Sequence, residues 1–549
     1  MASRFLKIDP RDNVLVALTD LKIGEVVEHA GKSQTLVSDI PAKHKFATRA
    51  FAPGDQIFMY GVVVGTAVKP ILAGELVTTT NIRHQASPFH QQEGEFHWSA
   101  PEVSKWRDKT FQGYSRSDGQ VGTRNYWLVV PLVFCENKNI QVLKQAFEEE
   151  LGFAAPQLYR QQVADMAKLY REGKMDQLGA TPPRSNGGGS GRERLFENVD
   201  GIRFLLHEGG CGGTHEDSKN LCGLIAGYIH HPNVAGATVL SLGCQHAQIR
   251  ILQEEIRKRN PKFDKPLLVF EQQQSGSEAA MMSEAIRQTF IGLVEANKAG
   301  RTAAPLSRLC VGLKCGGSDG FSGISANPAI GHTSDLLAAL GGRTILSEFP
   351  ELCGVEQNLI DRGENKAVGD RFMRLMNDYA ARAAAVRATF EMNPSPGNVR
   401  DGLLTDAMKS AGAAKKGGTA PVTAAIDYPE YSTEAGLNLQ CTPGNDVECV
   451  TAQVGAGASV VLFTTGLGTP TGNPITPVVK LSTNSTLARK MHDIIDVDTG
   501  PIVEGQSTIE EMGENILNYV IDVASGHTHT KAEQKAQEDF IPWKRGVSL

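Results

Sequence analysis

The chain has 549 residues, and at about 150 residues per domain this length predicts three or four domains and excludes a single small binding module. Hydrophobic residues make up 41% of the chain and charged residues 21%, a globular composition that excludes a disordered tail. Lysine and arginine number 55 against 61 acidic residues, a net charge of −6 with both signs interspersed. We therefore expect no nucleic acid partner.

The first residues of the chain and its cysteines indicate the cellular compartment of the protein. The first residues, MASRFLKIDPRDN, carry charges where a secretory signal would be apolar. No run of about 18 apolar residues occurs, so we expect no membrane contact. The nine cysteines lack the even, dense spacing of a disulfide scaffold. We therefore expect a cytoplasmic protein whose cysteines are free thiols or metal ligands.

Residues 1–90 predict a small all-β domain. Short apolar runs such as NVLVALTDL and QIFMYGVVVG alternate with Gly and Pro breaks at a spacing of about 8 to 12 residues. Residues 91–112 are polar with scattered aromatic residues and have no sustained periodicity. They predict a linker that wraps on another surface.

From about residue 113 the sequence predicts parallel sheets with helices on both faces. The strand-length runs WLVVPLVFC (127–135), ATVLSLGC (237–244) and LCVGLKC (309–315) are each followed by a helix-length stretch. The Pro and Gly stretch 179–194 predicts an exposed loop, and NPSPGN (393–398) predicts a boundary. We therefore expect an α/β parallel-sheet catalytic region in two lobes, 113–395 and 396–549, the second ending in a polar tail, preceded by the all-β domain.

Four cysteines lie at the ends of predicted strands. Cys135, Cys244 and Cys315 close the three runs above, and Cys211 follows the strand-like GIRFLLH. Open parallel sheets bind ligands at the carboxyl ends of their strands. Thiolates favour iron or zinc over magnesium, so these four residues predict one metal-binding crevice. We expect the other five cysteines to pack in cores.

Other polar residues are candidates for the same crevice. His207 precedes Cys211 by four residues, a spacing that a metal can bridge, and it is a candidate ligand or base. Further candidates follow predicted strands: Glu348 as an acid or base, and Ser318, Asp319 and Thr465 as substrate ligands. The sequence contains no HExxH, Walker A or CxxC motif. A nicotinamide dehydrogenase is disfavoured because no GxGxxG follows the first strand.

Several longer motifs resemble the altronate and galactarate dehydratase family. They are DGQVGTRN (118–125), KCGGSDGFSGISANPAIG (314–331), NPSPGN and FTTGLGTP (463–470), while KHKFA, YGVVVG and TTN resemble its N-terminal SAF-type domain. EQQQ (271–274) and LSEFPEL (346–352) are similar to the altronate branch. The resemblance implies loss of water from a six-carbon sugar acid to give a 2-keto-3-deoxy acid, with iron(II), manganese(II) or another divalent metal. For altronate the product is 2-dehydro-3-deoxy-D-gluconate.

The resemblance also implies roles for residues of the N-terminal domain and of the DGQVGTRN motif. Its His-Lys and Tyr-Gly patterns make His44 and Tyr60 candidate acid or base residues. The implied substrate ligands are Lys45, Asn81, Arg124 and Asn125, with the Arg124 guanidinium suited to a carboxylate. Dehydration removes the proton alpha to the carboxylate and expels hydroxide from the beta carbon, and a metal would stabilise the enediolate.

Three alternatives stay open at this point. The substrate could be galactarate or another aldonate or aldarate. An iron-sulfur cluster held by three or four of the strand-end cysteines could replace a single metal ion. A sugar-acid binding module, suggested by the N-terminal domain alone, would need no catalysis. We expect a homo-oligomer in each case.

Overall fold

A computed structural model describes residues 4–92, 94–154, 158–182 and 193–548. Most of the predicted loop 179–194 therefore lies outside the described residues. The strands are β1 (Phe5–Leu6), β2 (Val14–Ala17), β3 (Val26–His29), β4 (Lys32–Thr35), β5 (Lys45–Ala47), β6 (Gln56–Met59), β7 (Val62–Ala67), β8 (Ile82–Arg83), β9 (Thr110–Ser115), β10 (Val121–Gly122), β11 (Tyr126–Pro131), β12 (Gly201–Phe204), β13 (Val234–Ser241), β14 (Leu267–Glu271), β15 (Thr302–Pro305), β16 (Cys310–Cys315), β17 (Arg343–Leu346), β18 (Val422–Ile426), β19 (Gly436–Gln440), β20 (Val460–Thr465), β21 (Val478–Ser482) and β22 (Val497–Asp498).

The helices complete the element order. They are α1 (Asn137–Leu151), α2 (Leu158–Arg171), α3 (His215–His230), α4 (Ile249–Arg259), α5 (Glu278–Ala296), α6 (Ala326–Ala339), α7 (Glu356–Asp361), α8 (Lys366–Ala385), α9 (Pro396–Arg400), α10 (Asp406–Ala413), α11 (Asp446–Gly455), α12 (Ser485–Lys490), α13 (Gly500–Val503), α14 (Ile509–Ala524) and α15 (Lys531–Gln534). Within the described ranges, no helix combines the length and apolar character needed to cross a membrane.

The N-terminal domain is built from strands only, as predicted. Its sheets are antiparallel, β1-β2-β5 and β6-β7-β8 with the hairpin β3-β4 beside them. Strand β2 is buried along its whole length because both of its faces are covered. Short strands with apolar residues and frequent turns favour this β architecture over helices.

The segment after β8 runs across the C-terminal part of the chain. Trp106 is 1% exposed, and its Nε1 donates to Asn518 Oδ1 at 3.0 Å. Gln92 donates to the carbonyl oxygen of Gly363 at 2.9 Å. These contacts anchor a stretch that has no helix or strand among its described residues from 84 to 109.

Beyond the N-terminal domain lie two parallel sheets and the small antiparallel sheet β10-β9-β15, and the parallel sheets confirm the predicted α/β class. A four-stranded sheet has the order β12-β11-β13-β14, and a seven-stranded sheet has the order β18-β19-β17-β16-β20-β21-β22. The central strands β11, β16 and β20 are buried at every residue. Parallel strands covered by helices on both faces explain why these runs are continuously apolar.

The predicted lobe boundary at residue 395 falls inside the seven-stranded sheet. Strands β16 and β17 precede this residue and β18 to β22 follow it. The sheets instead change between β14 and β16. The Ser and Pro of NPSPGN do not form a linker, because Ser395 caps α9 in a capping box with Asn398.

The N-terminal domain docks on the loop that follows β16. Lys43 Nζ lies 2.9 Å from Asp319 Oδ2. A Cβ atom added to Gly323 would lie 2.3 Å from the hydroxyl oxygen of Tyr60, so only glycine permits this approach. The docking therefore depends on a residue without a side chain.

The variant Gly323→Ala is expected to loosen this interface. Overpacking a tight contact costs about 1–3 kcal/mol, so we expect a lower unfolding midpoint and faster proteolysis near the domain junction. The double variant Gly323→Ala/Tyr60→Phe removes the nearest atom and should recover part of the loss. Differential scanning calorimetry measures both. Equal midpoints for Gly323→Ala and the unchanged chain would contradict the proposed packing.

Candidate functional site

A thiol and two carboxyl groups meet at the carboxyl end of the seven-stranded sheet. Cys315 is the last residue of β16, and Glu348 and Glu351 lie in the turn that follows β17, its neighbour in the sheet. Their sulfur and carboxylate oxygen atoms all lie within 4.8 Å of one another, and all three residues are buried. Glu348 has a φ of 68°, a left-handed conformation that is uncommon for a residue with a side chain. Such strain is concentrated at functional sites.

Lysine side chains surround Glu348 and Cys315. Lys416 Nζ lies 2.7 Å from Cys315 Sγ and 2.6 Å from Glu348 Oε2. Lys314 Nζ contacts the other oxygen of Glu348 and lies 2.9 Å from Asp446 Oδ1. The carboxylate of Glu348 is thus held between two ammonium groups.

A third lysine holds Glu351. Lys409 Nζ lies 2.8 Å from Glu351 Oε1 and donates to Asn393 Oδ1 at 2.5 Å. The thiol of Cys315 lies 3.4 Å from the second oxygen of Glu351. Glu351 therefore connects the lysine on α10 to the thiol on β16.

The environment separates the pKa values of the two glutamates. Burial and the charge of Glu351 raise the pKa of Glu348, although Lys314 and Lys416 oppose this change. Burial also acts to raise the pKa of Glu351, but Lys409 and the other lysines outweigh it and lower this pKa to about 2. Burial, reinforced by Glu348, raises the pKa of the Cys315 thiol to about 12. Paired titratable groups with divergent pKa values are typical of acid-base sites.

A cavity of about 700 Å³ opens beside this cluster. Cys315, Glu351 and Lys409 line it, whereas Glu348 is not among its lining residues. Further polar and charged residues around the cavity are Ser318, Arg382, Asn393, Asn398, Asp446, Lys544 and Arg545. The volume suits a small organic ligand, and the lining has more cations than anions.

The donor atoms of Cys315, Glu348 and Glu351 decide whether the cluster can hold a divalent metal ion. One thiol and two carboxylates are donor types that iron(II) accepts. However, the ammonium group of Lys416 contacts both Cys315 and Glu348 and stands in the position of a cation. As folded here, the cluster does not fit a divalent ion, because lysines already neutralise it.

The four strand-end cysteines are divided between the two sheets. Cys135, Cys211 and Cys244 follow β11, β12 and β13 of the four-stranded sheet and are exposed, whereas Cys315 ends β16 of the other sheet and is buried. The single crevice predicted for four thiols therefore does not form. The remaining cysteines are buried or, for Cys353, half-buried.

His207 has a structural role in this arrangement. It is 4% exposed, its Nε2 lies 2.7 Å from the carbonyl oxygen of Pro131, and its Nδ1 accepts from the backbone N–H of Gly209 at 3.1 Å. Burial lowers the pKa of His207 to about 4, so the ring is neutral. Both ring nitrogens are committed to the backbone, which removes His207 as the expected base or ligand.

Arg124 and Asn125 lie at the start of β11, the opposite end of the strand from Cys135. The Arg124 side chain is fully buried and pairs with Glu533 at 2.7 Å. The Asn125 amide donates to the carbonyl oxygens of Asn198 and Ala296. Their polar groups hold segments of the fold together, so we remove both residues from the expected substrate ligands.

The candidates of the N-terminal domain lie at or near its interface with the C-terminal part. Lys45 donates to the carbonyl oxygen of Gly402 at 2.6 Å, and burial lowers its pKa to about 7. Tyr60 packs against Gly323, and burial raises its pKa. His44 is half-buried, and burial lowers its pKa. Asn81 closes a turn by accepting from the N–H of Thr78, so its role is local.

The candidates next to β16 and β20 lie closer to the cavity. Ser318 lines it directly. Asp319 is fully buried between Lys43 and the hydroxyl of Thr483, so it positions the loop. Thr465 accepts from the N–H groups of Gly468 and Thr469 and shapes the next loop. Of these residues, only Ser318 is directly available to a ligand.

Sequence reasoning missed the lysines of the site. Lys314 lies inside an otherwise apolar strand, and that single charge was an available signal. Lys409 and Lys416 lie beside or within the stretch 410–420, which reads as a loop or boundary. No pattern in the sequence connects them to Glu348, from which they are more than 50 residues away.

Comparisons with known proteins cover almost the whole chain. Residues 3–85 match the altronate/galactarate dehydratase SAF domain, residues 113–297 the second domain of D-galactarate dehydratase/altronate hydrolase, and residues 306–548 the C-terminal domain of D-galactarate/altronate dehydratase. The chain is 33% identical to altronate dehydratase of Bacillus subtilis (strain 168) over 547 residues, 99% of each chain. It is 32% identical to altronate dehydratase of Escherichia coli (strain K12) over 100% of both chains.

A third relative is galactarate dehydratase (L-threo-forming) of Escherichia coli (strain K12), 29% identical over 96% of this chain and 94% of the relative. All three family regions occur here in the same chain and cover the N-terminal domain and both parallel sheets. The protein therefore belongs to the altronate/galactarate dehydratase family and is a dehydratase, a hydro-lyase that acts on a sugar acid.

Proposed function

We propose that the enzyme dehydrates D-altronate to 2-dehydro-3-deoxy-D-gluconate in the cavity beside Cys315 and Glu351. The observation that carries this proposal is a buried acid–lysine cluster on the wall of a cavity with cationic residues around it. The two relatives at 33% and 32% identity are both named altronate dehydratase, which supports the substrate. Galactarate is the second candidate, supported by the relative at 29% identity.

Two cations of the cavity are available to the substrate carboxylate. Arg382 pairs with Glu216 at 2.8 Å, but both side chains are about half exposed, so this pair is weak. Lys544 Nζ donates to Ser548 Oγ at 2.6 Å, a partner that carries no charge. Both lysine and arginine can exchange these partners for a carboxylate, and arginine can do so through two parallel hydrogen bonds.

Glu351 and Lys409 supply the acid and base groups. Glu351 is the carboxylate that lines the cavity, and we assign it as acceptor of the alpha proton. Entry of a negatively charged substrate displaces water and adds a like charge, and both effects raise the pKa of Glu351 from its low value. Lys409 is protonated and lies 2.8 Å from Glu351, so it can donate a proton to the departing hydroxide.

Glu348, Lys314 and Lys416 act as positioning residues. They lie behind the wall of the cavity and hold the turn that carries Glu351. Their charges are fixed before substrate arrives, so the site need not reorganise during proton transfer. These proton transfers involve residues of the chain alone.

The family resemblance also leads us to propose iron as the metal and the cytoplasm as the compartment. All nine cysteines are free thiols, which fits a reducing compartment. Exposed thiol donors for iron lie on the four-stranded sheet and not at the lysine-rich cluster.

A panel of aldonates and aldarates assayed anaerobically with iron(II) for 2-keto acid formation tests the function. We expect the highest kcat/KM for D-altronate. Arg382→Ala and Lys544→Ala should each raise KM about 10- to 100-fold with a small change in kcat, because a lost hydrogen bond to a charged group costs about 1.5–3 kcal/mol. Arg374→Ala on the same helix is the matched control, since Arg374 is exposed and does not line the cavity.

Turnover of galactarate without turnover of D-altronate would replace the substrate assignment by the second candidate. Unchanged KM values in both cavity variants would contradict the assignment of this cavity as the substrate site.

A further inference from the structure

Three exposed thiols follow three neighbouring strands of the four-stranded sheet. Strand β11 lies between β12 and β13, and all three run parallel. Pro131 of β11 pairs with Leu240 of β13. Cys135 and Cys244 each come four residues after this pair, so they occupy equivalent positions beyond the ends of their strands. Neighbouring strands are about 4.8 Å apart, which places the two loops side by side.

The loop that carries Cys211 is bonded to both of the other loops. The N–H of Phe134, the residue before Cys135, donates to the carbonyl oxygen of Gly209 at 3.1 Å. The N–H of Ala247 donates to the carbonyl oxygen of Gly210 at 3.0 Å. The ring of His215, the first residue of α3 after the Cys211 loop, lies 5.6 Å from the ring of His246 in the Cys244 loop. The three cysteines therefore belong to one connected edge.

Gly210 allows this close approach. Its φ is +99°, and a Cβ atom at this position would lie 2.1 Å from the carbonyl oxygen of Leu132. Only glycine tolerates both conditions. The glycine next to Cys211 therefore seats its loop directly against the loop that leads to Cys135.

The three thiols differ from the other cysteines in their surroundings. They are the exposed cysteines of the chain, and among the described residues none has a hydrogen bond or an ion pair. Cys315, in contrast, is buried against the ammonium group of Lys416. The edge of the four-stranded sheet thus presents thiol donors that no cation of the fold neutralises.

The arrangement favours a cluster over a single ion. A tetrahedral ion with metal–sulfur bonds of about 2.3 Å holds its ligand atoms within about 4 Å of one another. Among the described residues, the group of metal-binding side chains that meets a 4.8 Å spacing is Cys315, Glu348 and Glu351, which excludes these three cysteines. An iron-sulfur cluster is bound by cysteine thiolates on separate irons, which spaces the ligands more widely.

We propose that Cys135, Cys211 and Cys244 bind a [4Fe–4S] cluster and leave one iron without a cysteine ligand. Each thiol loses its proton to solvent and forms one sulfur–iron bond. Equal numbers of ferrous and ferric ions with matching sulfide assemble the cluster without net electron transfer. This binding is independent of which sugar acid the enzyme uses.

The cavity next to Cys211 and the substrate cavity share lining residues. Cys211 lines a second cavity of about 630 Å³, together with Glu208, Asn137 and Lys544. Lys544 and Trp543 line both this cavity and the one beside Cys315. The C-terminal segment 540–548 therefore lies between the two spaces. An iron with an open position next to this segment would be accessible to small oxygen ligands.

The test is metal analysis of the full-length enzyme purified anaerobically and reconstituted with ferric chloride, sulfide and dithiothreitol. We expect about four irons and four acid-labile sulfides per chain, with the visible absorption of a cluster and an EPR signal after reduction with dithionite. Cys135→Ser, Cys211→Ser and Cys244→Ser should each lose sulfide at least tenfold. Circular dichroism shows whether each variant is folded. All three thiols are exposed, so we expect the substitutions to leave the fold intact, and one folded variant is enough to test the role of its thiol.

Two other cysteines provide matched controls. Cys315→Ser and Cys222→Ala should keep iron and sulfide at the level of the unchanged chain, since one lies on the other sheet and the other is buried in α3. Stoichiometric iron without sulfide, or a cluster that survives in the folded strand-end variants, would overturn the proposal. Loss of the cluster in Cys315→Ser would do so as well. A loaded cluster with no turnover of D-altronate would instead refute only the proposed substrate.

Discussion

Glu351→Gln is expected to lower kcat for dehydration by about 10²- to 10⁴-fold, the usual contribution of a positioned general base. The carboxylate lines the cavity and is 2% exposed. The amide has nearly the same size and can still accept a hydrogen bond from Lys409, but it takes up no proton. Because Arg382 and Lys544 remain, KM should change by less than about threefold. Steady-state kinetics under anaerobic conditions separates the two constants.

Glu364→Gln is the matched control for this change. Glu364 is exposed in the turn before α8 and does not line the cavity beside Cys315, so its amide variant should retain the kinetics of the unchanged enzyme. The unfolding midpoint of Glu351→Gln must also be compared, because the variant leaves Lys409 without its anion. If a folded Glu351→Gln enzyme kept more than a tenth of the original kcat, Glu351 would not be the base.

Lys416→Met is expected to destabilise the C-terminal part of the chain strongly. Lys416 is 1% exposed and contacts both Glu348 and Cys315. Removing one partner of a buried ion pair costs about 3–5 kcal/mol, because the remaining charge is left in a medium of low polarity. For a unit of about 240 residues this lowers the unfolding midpoint by roughly 6 to 20 °C. Thermal unfolding followed by circular dichroism measures the shift.

A double variant and a neighbouring lysine test the cause of this loss. Lys416→Met/Glu348→Gln removes both charges of the pair and should be more stable than Lys416→Met alone, since no carboxylate then lacks its partner. Lys415→Met is the control, because Lys415 is exposed and precedes Lys416 directly. A shift of the same size in Lys415→Met would show that the buried ion pair is not the cause. So would additive losses in the double variant.

The sequence predicted the secondary-structure elements correctly where the pattern of apolar residues was strong. The apolar runs that end at Cys135, Cys244 and Cys315 correspond to β11, β13 and β16. These elements are long or fully buried, so their pattern is set by packing on both faces. The boundary at 395 could not be placed in this way, because a capped turn and a linker share the same Pro, Ser and Gly composition.

The candidate site was accessible only in part. Strand ends identified Cys315, Glu348 and the loop with Ser318, because ligands of parallel sheets meet at carboxyl edges. His207 and Arg124 contact the Pro131 carbonyl oxygen and the Glu533 carboxylate in the fold, since a polar residue beside a strand can serve the backbone or a distant ion pair as well as a ligand. Sequence spacing does not distinguish these uses, which depend on burial and on partners far along the chain.

The sequence by itself determined the fold class, the family and the edge of each sheet where polar residues collect. These properties follow from local patterns of apolar residues, glycine and cysteine, which act over a few residues. Only the tertiary structure decided which edges belong together. It separated Cys315 from Cys135, Cys211 and Cys244, because β16 pairs in a different sheet from β11. It also brought Lys416 to Glu348 across 68 residues, and ion pairs of this kind are formed by strand order and helix packing that no local pattern encodes.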